Sequence, residues 1–330
     1  MILNMNDALT LMHLSKPFQD ALLIIDAAST ENELLLDMPS IACNKGQIHE
    51  VIWYDNVPKG TLLGYNMGIK PNNTQILQKT EGLALLASAC TVDKRMADDS
   101  GDKNALINFE SRAHIEGMGR QQAYISMYGD KGKNPLSIDG LATRTRRRKA
   151  ATFVDVADKL GYTAGTNVTS LYMAALGPKL LHFLFNPAFG KSGVKKEDNG
   201  AQRITHGDGG FSYIYELVFS MEWGIAAEHP DCLWCLGNID RNAILTGGDE
   251  MRAKFIDLVL HHQKLLPKGG ATNALYGNLD VIEMIEKIAR DKEVVVHVDT
   301  DPWGKPVDMI NGMRLRRMDV IPTDASEKVA

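Results

Sequence analysis

Apolar and small polar residues recur at intervals of three and four between Ala105 and Asp130, the spacing of one face of an α-helix. The residues on this face are Ile107, Ser111, Ile115, Met118, Gln122 and Ile125. No proline interrupts the segment, and Tyr128-Gly129-Asp130 is a stop signal before a loop. The pattern predicts one helix that is longer than the average globular helix. We call it the spine helix, since a helix of this length can serve as the backbone of a flat subunit.

Two glycines, Gly117 and Gly119, lie inside this predicted helix. Each costs about 1 kcal/mol relative to alanine in a helix interior. Their most direct use is to let another backbone approach the helix closely. Both are therefore predicted to have a structural role, as is Tyr128 at the helix end.

The first 45 residues carry short apolar clusters separated by polar breaks. Phe18–Ile25 has the pattern of a short amphipathic helix, and Thr30 with Glu33 forms a capping box for another helix that ends before Pro39. These pieces have too little apolar surface for a core of their own. Residues 1–45 are predicted to be an arm that folds against something else.

Residues 46–71 have the clearest hairpin pattern. Leu63, Tyr65, Met67 and Ile69 alternate with glycine and asparagine, which predicts a half-buried strand. Its predicted partner is Ile48–Tyr54, with residues 55–60 as the turn. Because a lone two-stranded hairpin is marginal in water, it should lean on another part of the chain or on another chain.

The rest of the sequence mixes strand and helix patterns in no regular alternation, which is typical of an α+β fold. Strands are predicted within 73–89 and at Leu171–Leu176, Leu180–Phe185, Phe211–Ile225, Cys232–Ile239, Val294–Val298 and Met313–Ile321. Helices are predicted from Thr91 to Met96, at Glu250–Leu266 and at Val281–Ala289, the last capped by Asp280. Residues 134–169 are predicted to be rich in loops.

Composition narrows the function. The chain has 330 residues, 44% hydrophobic and 23% charged, and a formal net charge of −5. These values are typical of a soluble globular protein and have the wrong sign for one that coats nucleic acid. The apolar runs are shorter than a membrane span and no secretory signal is expected. Four cysteines do not make a disulfide framework, so reduced thiols are expected.

Several short motifs suggest chemistry but favour a structural explanation. Cys232 and Cys235 have C-x-x-C spacing, yet residues three apart on a strand face opposite sides, and no second cysteine pair accompanies them. Gly190-Lys191-Ser192 lacks the first glycine of a phosphate loop, since Phe185 stands there. His262 of the adjacent pair His261-His262 is predicted to cover the core. No catalytic, cofactor or metal residue is predicted.

The best enzymatic candidate is a group near the C-terminus, His297, Asp299, Asp301 and Asp308. Histidine and aspartate two apart on a strand share a face, as a divalent metal requires. Aspartate is also common in turns such as Asp301-Pro302-Trp303-Gly304, where it forms local hydrogen bonds. A metal-dependent hydrolase using His297, Asp299 and Asp301 therefore stays an alternative function.

The densest basic run is Arg144, Arg146, Arg147, Arg148 and Lys149. It could contact DNA phosphates, form ion pairs with acidic residues such as Asp98-Asp99 or Glu197-Asp198, or be a solvated loop. A nucleic-acid-binding module acting through this run is the second alternative function.

An ordered series of motifs resembles the major capsid proteins of tailed bacteriophages with the Hong Kong-97-type fold. The series is Gly64-Tyr65-Asn66-Met67-Gly68, Val92-Asp93-Lys94, Ile115-Glu116-Gly117-Met118, Tyr128-Gly129-Asp130, Asn134-Pro135, Gly140-Leu141-Ala142, Leu176-Gly177-Pro178, Trp223-Gly224, Asn238-Ile239-Asp240, Tyr276-Gly277-Asn278 and 312–319. No single motif is specific, but their order along nearly the full chain is.

The resemblance implies five parts. These are an N-terminal arm (1–45), an extended hairpin loop (46–72), a peripheral domain with the spine helix (73–130), an axial domain (131–292) and C-terminal strands (293–330). It implies a non-enzymatic protein of the virion, assembled in the host cytoplasm. Copies would form hexamers and pentamers that close an icosahedral shell around double-stranded DNA. Scaffolding, portal and decoration proteins are candidate partners, DNA is contacted non-specifically at most, and no membrane or cofactor is involved.

On a shell, an arm without a core and a hairpin without a third strand can pack against neighbouring subunits. The residues expected at these contacts are Trp53, Tyr54, Pro58, Lys59, Tyr65, Met67, Arg144, Arg146, Arg147 and Arg148. For the arginines, the resemblance favours ion pairs with an acidic neighbour over a solvated loop.

Overall fold

A computed structural model describes residues 33–329 except 57, 70, 72, 148–150, 190–192, 208, 268–271, 292–295 and 301–305. The predicted helix at Phe18–Ile25 and the capping residue Thr30 lie outside the described residues. The predicted short helix after Thr30 is present as α1 (Glu33–Asp37). It is followed by a short strand, β1 (Ser40–Ala42).

The hairpin is present, but its second strand is not the predicted one. Strand β2 (Ile48–Asn56) pairs antiparallel with β3 (Gln75–Gly82), with Tyr54 opposite Ile76. The prediction of a strand at residues 63–69 is wrong. Asn66 has a φ of 67°, and the Met67 N–H donates to the Gly64 carbonyl at 3.3 Å, so a turn interrupts the extended backbone. The hairpin is longer than predicted, and its connection is an irregular exposed loop.

The spine helix is confirmed. Strand β4 (Ala84–Asp93) leads through α2 (Lys94–Asp99) to α3 (Lys103–Tyr128), whose N-terminus is capped by Asp102. Ser111, Met118 and Gln122 of the predicted face are buried. The helix packs on β4, where the Ser88 hydroxyl and His114 Nδ1 lie 2.7 Å apart.

The main sheet has twelve strands in the described part of the chain. At its centre lies β6 (Thr169–Leu176), every residue of which is buried. Its antiparallel neighbours are β10 (Leu233–Ile239) and β11 (Thr272–Gly277). Beyond β11 the sheet continues with β14 (Met313–Arg317), β13 (Pro306–Ile310) and β12 (Val296–Thr300).

The longest strand joins the two ends of the fold. β9 (Phe211–Ala227) pairs with β4 and β8 (Val194–Thr205) along most of its length, and its last residues pair with β7 (Leu181–Phe185). Strand β1 also lies on β7. The sequence predicted β9 but not β8, because β8 is polar and largely exposed.

Helices cover the sheet. α5 (Arg241–Thr246) and α6 (Gly248–Leu265) follow β10, and α7 (Leu279–Asp291) follows β11. The predicted cap of α7 is wrong: the Asn278 Oδ1 accepts from the Val281 N–H, whereas Asp280 pairs with Arg241 at 2.8 Å. A π-helical segment (Thr143–Arg147), β5 (Phe153–Asp155) and α4 (Val156–Leu160) lie in the region predicted to be rich in loops.

One large apolar core unites the sheet, α6, α7 and the inner face of α3. A smaller core under the hairpin contains Cys43, Val51, Leu184 and Ala226. Within the described residues, no helix is long and apolar enough to cross a membrane. The boundaries proposed after residues 45, 72, 130 and 292 stay predictions.

Candidate subunit interfaces and the ion pairs behind them

The connection between the hairpin strands, residues 58–69, presents apolar side chains to solvent; we call it the hairpin tip. Leu62 and Tyr65 are fully exposed, Ile69 is 76% exposed and Met67 is 66% exposed. Such a concentration of exposed apolar side chains is typical of a site that contacts another protein. Pro58 and Lys59, two further predicted contact residues, are also exposed.

The hairpin strands leave more apolar surface uncovered. Ile52, Tyr54, Ile76 and Leu77 are all at least half exposed. Trp53 differs from the prediction, because it is half-buried against the smaller core and has the Lys79 ammonium 5.6 Å from its ring centre. Tyr54 therefore remains a candidate contact, whereas Trp53 already packs within the subunit.

The outer face of α3 is a second candidate interface, which the sequence did not predict. Phe109 is 72% exposed and Tyr124 is 58% exposed, and Leu136 lies exposed in the loop after the helix. The sequence did contain a signal for this surface: Phe109 and Tyr124 are aromatic residues that lie outside the predicted buried face of the helix. Gly117 is exposed, and a Cβ there would have no atom within 4 Å. The close approach predicted at Gly117 is thus absent within the described chain.

Behind the hairpin, Arg144 binds Glu81 through two hydrogen bonds. Its Nη1 lies 2.7 Å from Oε1 and its Nη2 lies 2.8 Å from Oε2, and Lys79 pairs with the same carboxylate at 2.5 Å. Burial alone would raise the pKa of Glu81, but the hydrogen bonds and charges of Arg144 and Lys79 lower it to about 2. The pair fixes the end of β3 to the segment after the spine helix.

Arg146 makes a similar ion pair with Glu327 in the C-terminal segment. Its Nη1 lies 2.8 Å from Glu327 Oε1, and its Nη2 donates to the Glu327 carbonyl. The Tyr128 hydroxyl donates to the same carboxylate at 2.9 Å, and burial followed by the Glu327 charge raises the pKa of Tyr128. This hydrogen bond joins the end of α3 to the C-terminal segment, and the structural role of Tyr128 stays a prediction.

A third buried carboxylate, Asp37 of α1, ties the N-terminal end of the described chain to β14. Arg316 donates to it at 2.6 Å and 2.7 Å, and Arg314 at 3.2 Å. The Asp37 side chain has no exposure. Because breaking such a pair leaves a buried charge uncompensated, these contacts fix how distant segments meet.

The structure describes the side chains of only the first two arginines of the basic run. Arg144 and Arg146 are engaged inside the chain, with side chains about one-tenth exposed, so they are not presented to a neighbouring subunit or to DNA. Ion pairing was the favoured interpretation, but the partners are Glu81 and Glu327 rather than the acidic pairs considered. Only the backbone of Arg147 is described, and Arg148 and Lys149 lie outside the described residues.

The cysteine motif packs as predicted. Cys232 and Cys235 are free, buried and part of the large core. Burial raises the pKa of Cys232 to about 11 and that of Cys235 to about 12, which keeps both thiols protonated and unreactive at neutral pH. His262 is also buried, with its Nδ1 2.8 Å from the Leu258 carbonyl oxygen.

Of the enzymatic candidate near the C-terminus, the structure describes only the strand register of His297, Asp299 and Asp308. His297 is opposite Met309 and Asp299 is opposite Val307, whereas Asp308 is opposite Val298. Asp301 lies outside the described residues. Among the described residues, a different group has the spacing of metal ligands: His49, His182 and Glu228, which come from three separate parts of the sequence.

Comparison with known proteins gives a consistent result. A family model described as major capsid protein GP7 matches residues 17–329. A chain in the structure of bacteriophage Epsilon15 is similar over 89% of this chain and 88% of its own length, with a TM-score of 0.61 and 20% identity. The bacteriophage JBD30 capsid is similar over 86% of this chain and 87% of its own, with a TM-score of 0.51 and 14% identity. No curated protein sequence matches the chain.

Proposed function

Because this chain belongs to the major capsid protein GP7 family, we propose that its copies associate through the hairpin tip into hexamers and pentamers that close an icosahedral shell. The role of the protein is structural and its place is the virion. Its fold is the α+β, Hong Kong-97-type fold expected from the sequence motifs.

The exposure of the hairpin tip carries the proposal. Leu62, Tyr65, Met67 and Ile69 have no cover within the described part of the subunit that would remove them from water. Burying one such side chain completely contributes about 1.5–3 kcal/mol. Four of them would contribute roughly 6–12 kcal/mol, which is comparable to the roughly 4–15 kcal/mol cost of association. A single contact would then be weak and reversible, and a closed lattice of many contacts would be stable.

The ion pair between Arg144 and Glu81, at the end of the hairpin opposite the tip, supports the same proposal. Glu81 lies at the base of β3 and is held by Arg144, so the hairpin leaves the body from a fixed root. A fixed root reduces the conformational entropy that ordering the hairpin against a neighbour would cost.

We further propose that the shell encloses double-stranded phage DNA and assembles in the host cytoplasm, and that its protein has no enzymatic activity. Any DNA contact is proposed to be non-specific, and Arg144 and Arg146 take no part in it because they are already paired with carboxylates. Scaffolding, portal and decoration proteins are proposed partners in assembly.

The direct test is electron microscopy and sedimentation of the purified full-length chain, alone and with candidate scaffolding proteins from the same phage. We expect closed particles built of five- and six-membered capsomers. A chain that stays monomeric at high concentration under both conditions would overturn the assembly proposal. A salt-dependent DNA-binding assay on the same preparation separates the nucleic-acid-binding alternative. Elemental analysis of wild type and of a His297→Ala variant separates the hydrolase, since only a metal at His297 would be lost in the variant.

A further inference from the structure

Three side chains with metal-ligand chemistry meet where the hairpin joins the body. His49 lies near the start of β2, His182 lies in β7, and Glu228 follows the end of β9. Glu228 Oε1 is 3.6 Å from His49 Nε2 and 3.7 Å from His182 Nε2. One donor atom from each residue lies within 4.8 Å of the other two.

The burial of this cluster is unusual for polar groups without partners. The His182 side chain has no exposure, and neither of its ring nitrogens makes a hydrogen bond of normal geometry among the described residues, although the backbone of Gly177 and Leu180 lies near the ring. His49 is 7% exposed, and its Nδ1 is likewise unpartnered. Buried polar atoms are almost always satisfied by protein, water or an ion, so this group requires a partner.

The three side chains offer a donor set that metals use. Each imidazole can present one nitrogen lone pair to a metal ion, and Glu228 can present a carboxylate oxygen. The cluster therefore supplies two nitrogen donors and one oxygen donor from three separate parts of the sequence.

The spacing suits a small, borderline-soft cation. Zinc binds histidine nitrogen and carboxylate oxygen at about 2.0–2.2 Å, which places tetrahedral ligand atoms roughly 3.3 Å apart. The two distances to Glu228, 3.6 Å and 3.7 Å, exceed this value by a few tenths of an ångström. The donor atoms of the two histidines lie within 4.8 Å of each other, so the imidazoles would move closer together on binding the ion. Two imidazoles with a single carboxylate do not suit Mg²⁺ or Ca²⁺, which prefer oxygen ligands.

We propose that His49, His182 and Glu228 bind a divalent cation of the zinc type, which fastens the base of the hairpin to β7 and to the end of β9. Glu228 retains 27% exposure, so its open side admits the ion and a water molecule as the fourth ligand. The site joins residues that are distant in the sequence, so the metal stabilises the hairpin root in the native state. Metal binding here needs only the folded subunit, whatever the geometry of the shell.

The test uses the full-length chain, stripped with a chelator and dialysed at pH 7.5, with Zn²⁺ as the probe. Isothermal titration calorimetry should give one site per chain with a Kd of about micromolar or tighter. Metal-loaded protein should retain one zinc per chain by elemental analysis after washing. Co²⁺ should give the visible absorption of a four-coordinate ion.

Variants distinguish this site from surface binding. His49→Gln and Glu228→Gln should each weaken zinc binding by at least about 100-fold, the upper range for disturbing a supporting residue. Glu50→Gln, on the same strand, and His261→Gln, an exposed histidine on α6, should leave it unchanged. Wild-type protein that binds no zinc, or equal binding by all four variants, would overturn the proposal. The wild-type measurement decides even if a ligand variant fails to fold.

Discussion

Arg144 and Glu81, 63 positions apart in the sequence, form a two-point ion pair that is almost closed to solvent. The side chains are 10% and 5% exposed. Arg144 Nη2 also donates to the Ile225 carbonyl at 3.0 Å. The guanidinium thus connects the hairpin, the segment after the spine helix and the end of β9.

Removing one member of this pair should destabilise the subunit strongly. Glu81→Gln leaves Arg144 buried without its counter-charge, and we expect the free energy of unfolding to fall by about 3–5 kcal/mol. Urea unfolding of unassembled subunits measures this. The matched control is Glu50→Gln, which breaks the more exposed pair with Lys45 and should cost about 0–1 kcal/mol. Equal losses in the two variants would contradict the importance of the buried pair.

The same carboxylate should make stability depend on acid pH. Its pKa falls from 4.5 in the unfolded chain to about 2 in the folded one. Between these values the unfolded chain binds a proton that the folded chain does not, so the free energy of unfolding decreases as pH drops from about 4.5 towards 2. The stability gap between wild type and Glu81→Gln should narrow over this range. Urea unfolding at each pH measures this gap. If the free energies of unfolding of the two proteins fell in parallel with pH, the lowered pKa of Glu81 would be contradicted.

Two glycines should respond to alanine in opposite ways. The Gly140 N–H donates to the Gly129 carbonyl at 2.9 Å, and a Cβ at Gly140 would collide with the backbone carbonyl of Met127. Gly140→Ala should therefore destabilise by about 1–3 kcal/mol. Gly117→Ala has open space and should stabilise the helix by about 1 kcal/mol. Thermal unfolding distinguishes them.

The Gly117 variant also tests whether a neighbour approaches the spine helix. A stabilised subunit whose shells form poorly would place another chain against Gly117 in the assembly. Normal particles, seen by electron microscopy, would instead leave the glycine without an assembly role.

The hairpin tip should matter for assembly and hardly at all for folding. Leu62→Ser, Tyr65→Ser and Met67→Ser together replace three exposed apolar side chains. Surface substitutions usually change stability by no more than about 0.5 kcal/mol each, so the subunit should fold normally. Particle yield by sedimentation should be lost. Thr61→Ala, an exposed polar position in the same loop, is the control and should assemble as wild type does. Normal assembly of the triple variant would refute the proposed contact.

The hairpin shows where the sequence was informative and where it was not. Ile48–Tyr54 was predicted as a strand and is one, because its local pattern of apolar residues survives in the fold. The alternation at residues 63–69 was equally regular but formed no strand, since a left-handed Asn66 makes a turn there. Alternation alone does not identify the partner strand, and β3 supplied the pairing instead.

The sequence by itself determined the spine helix, the buried strands at the centre of the sheet and, through its ordered motifs, the family. These features depend on residues close together in the chain, whose spacing reports the local backbone directly. Only the tertiary structure decided that Arg144 pairs with Glu81, that Arg146 pairs with Glu327, and that His49 and His182 meet Glu228. Such contacts join distant segments, and their energies depend on burial and geometry that arise only after the chain has folded.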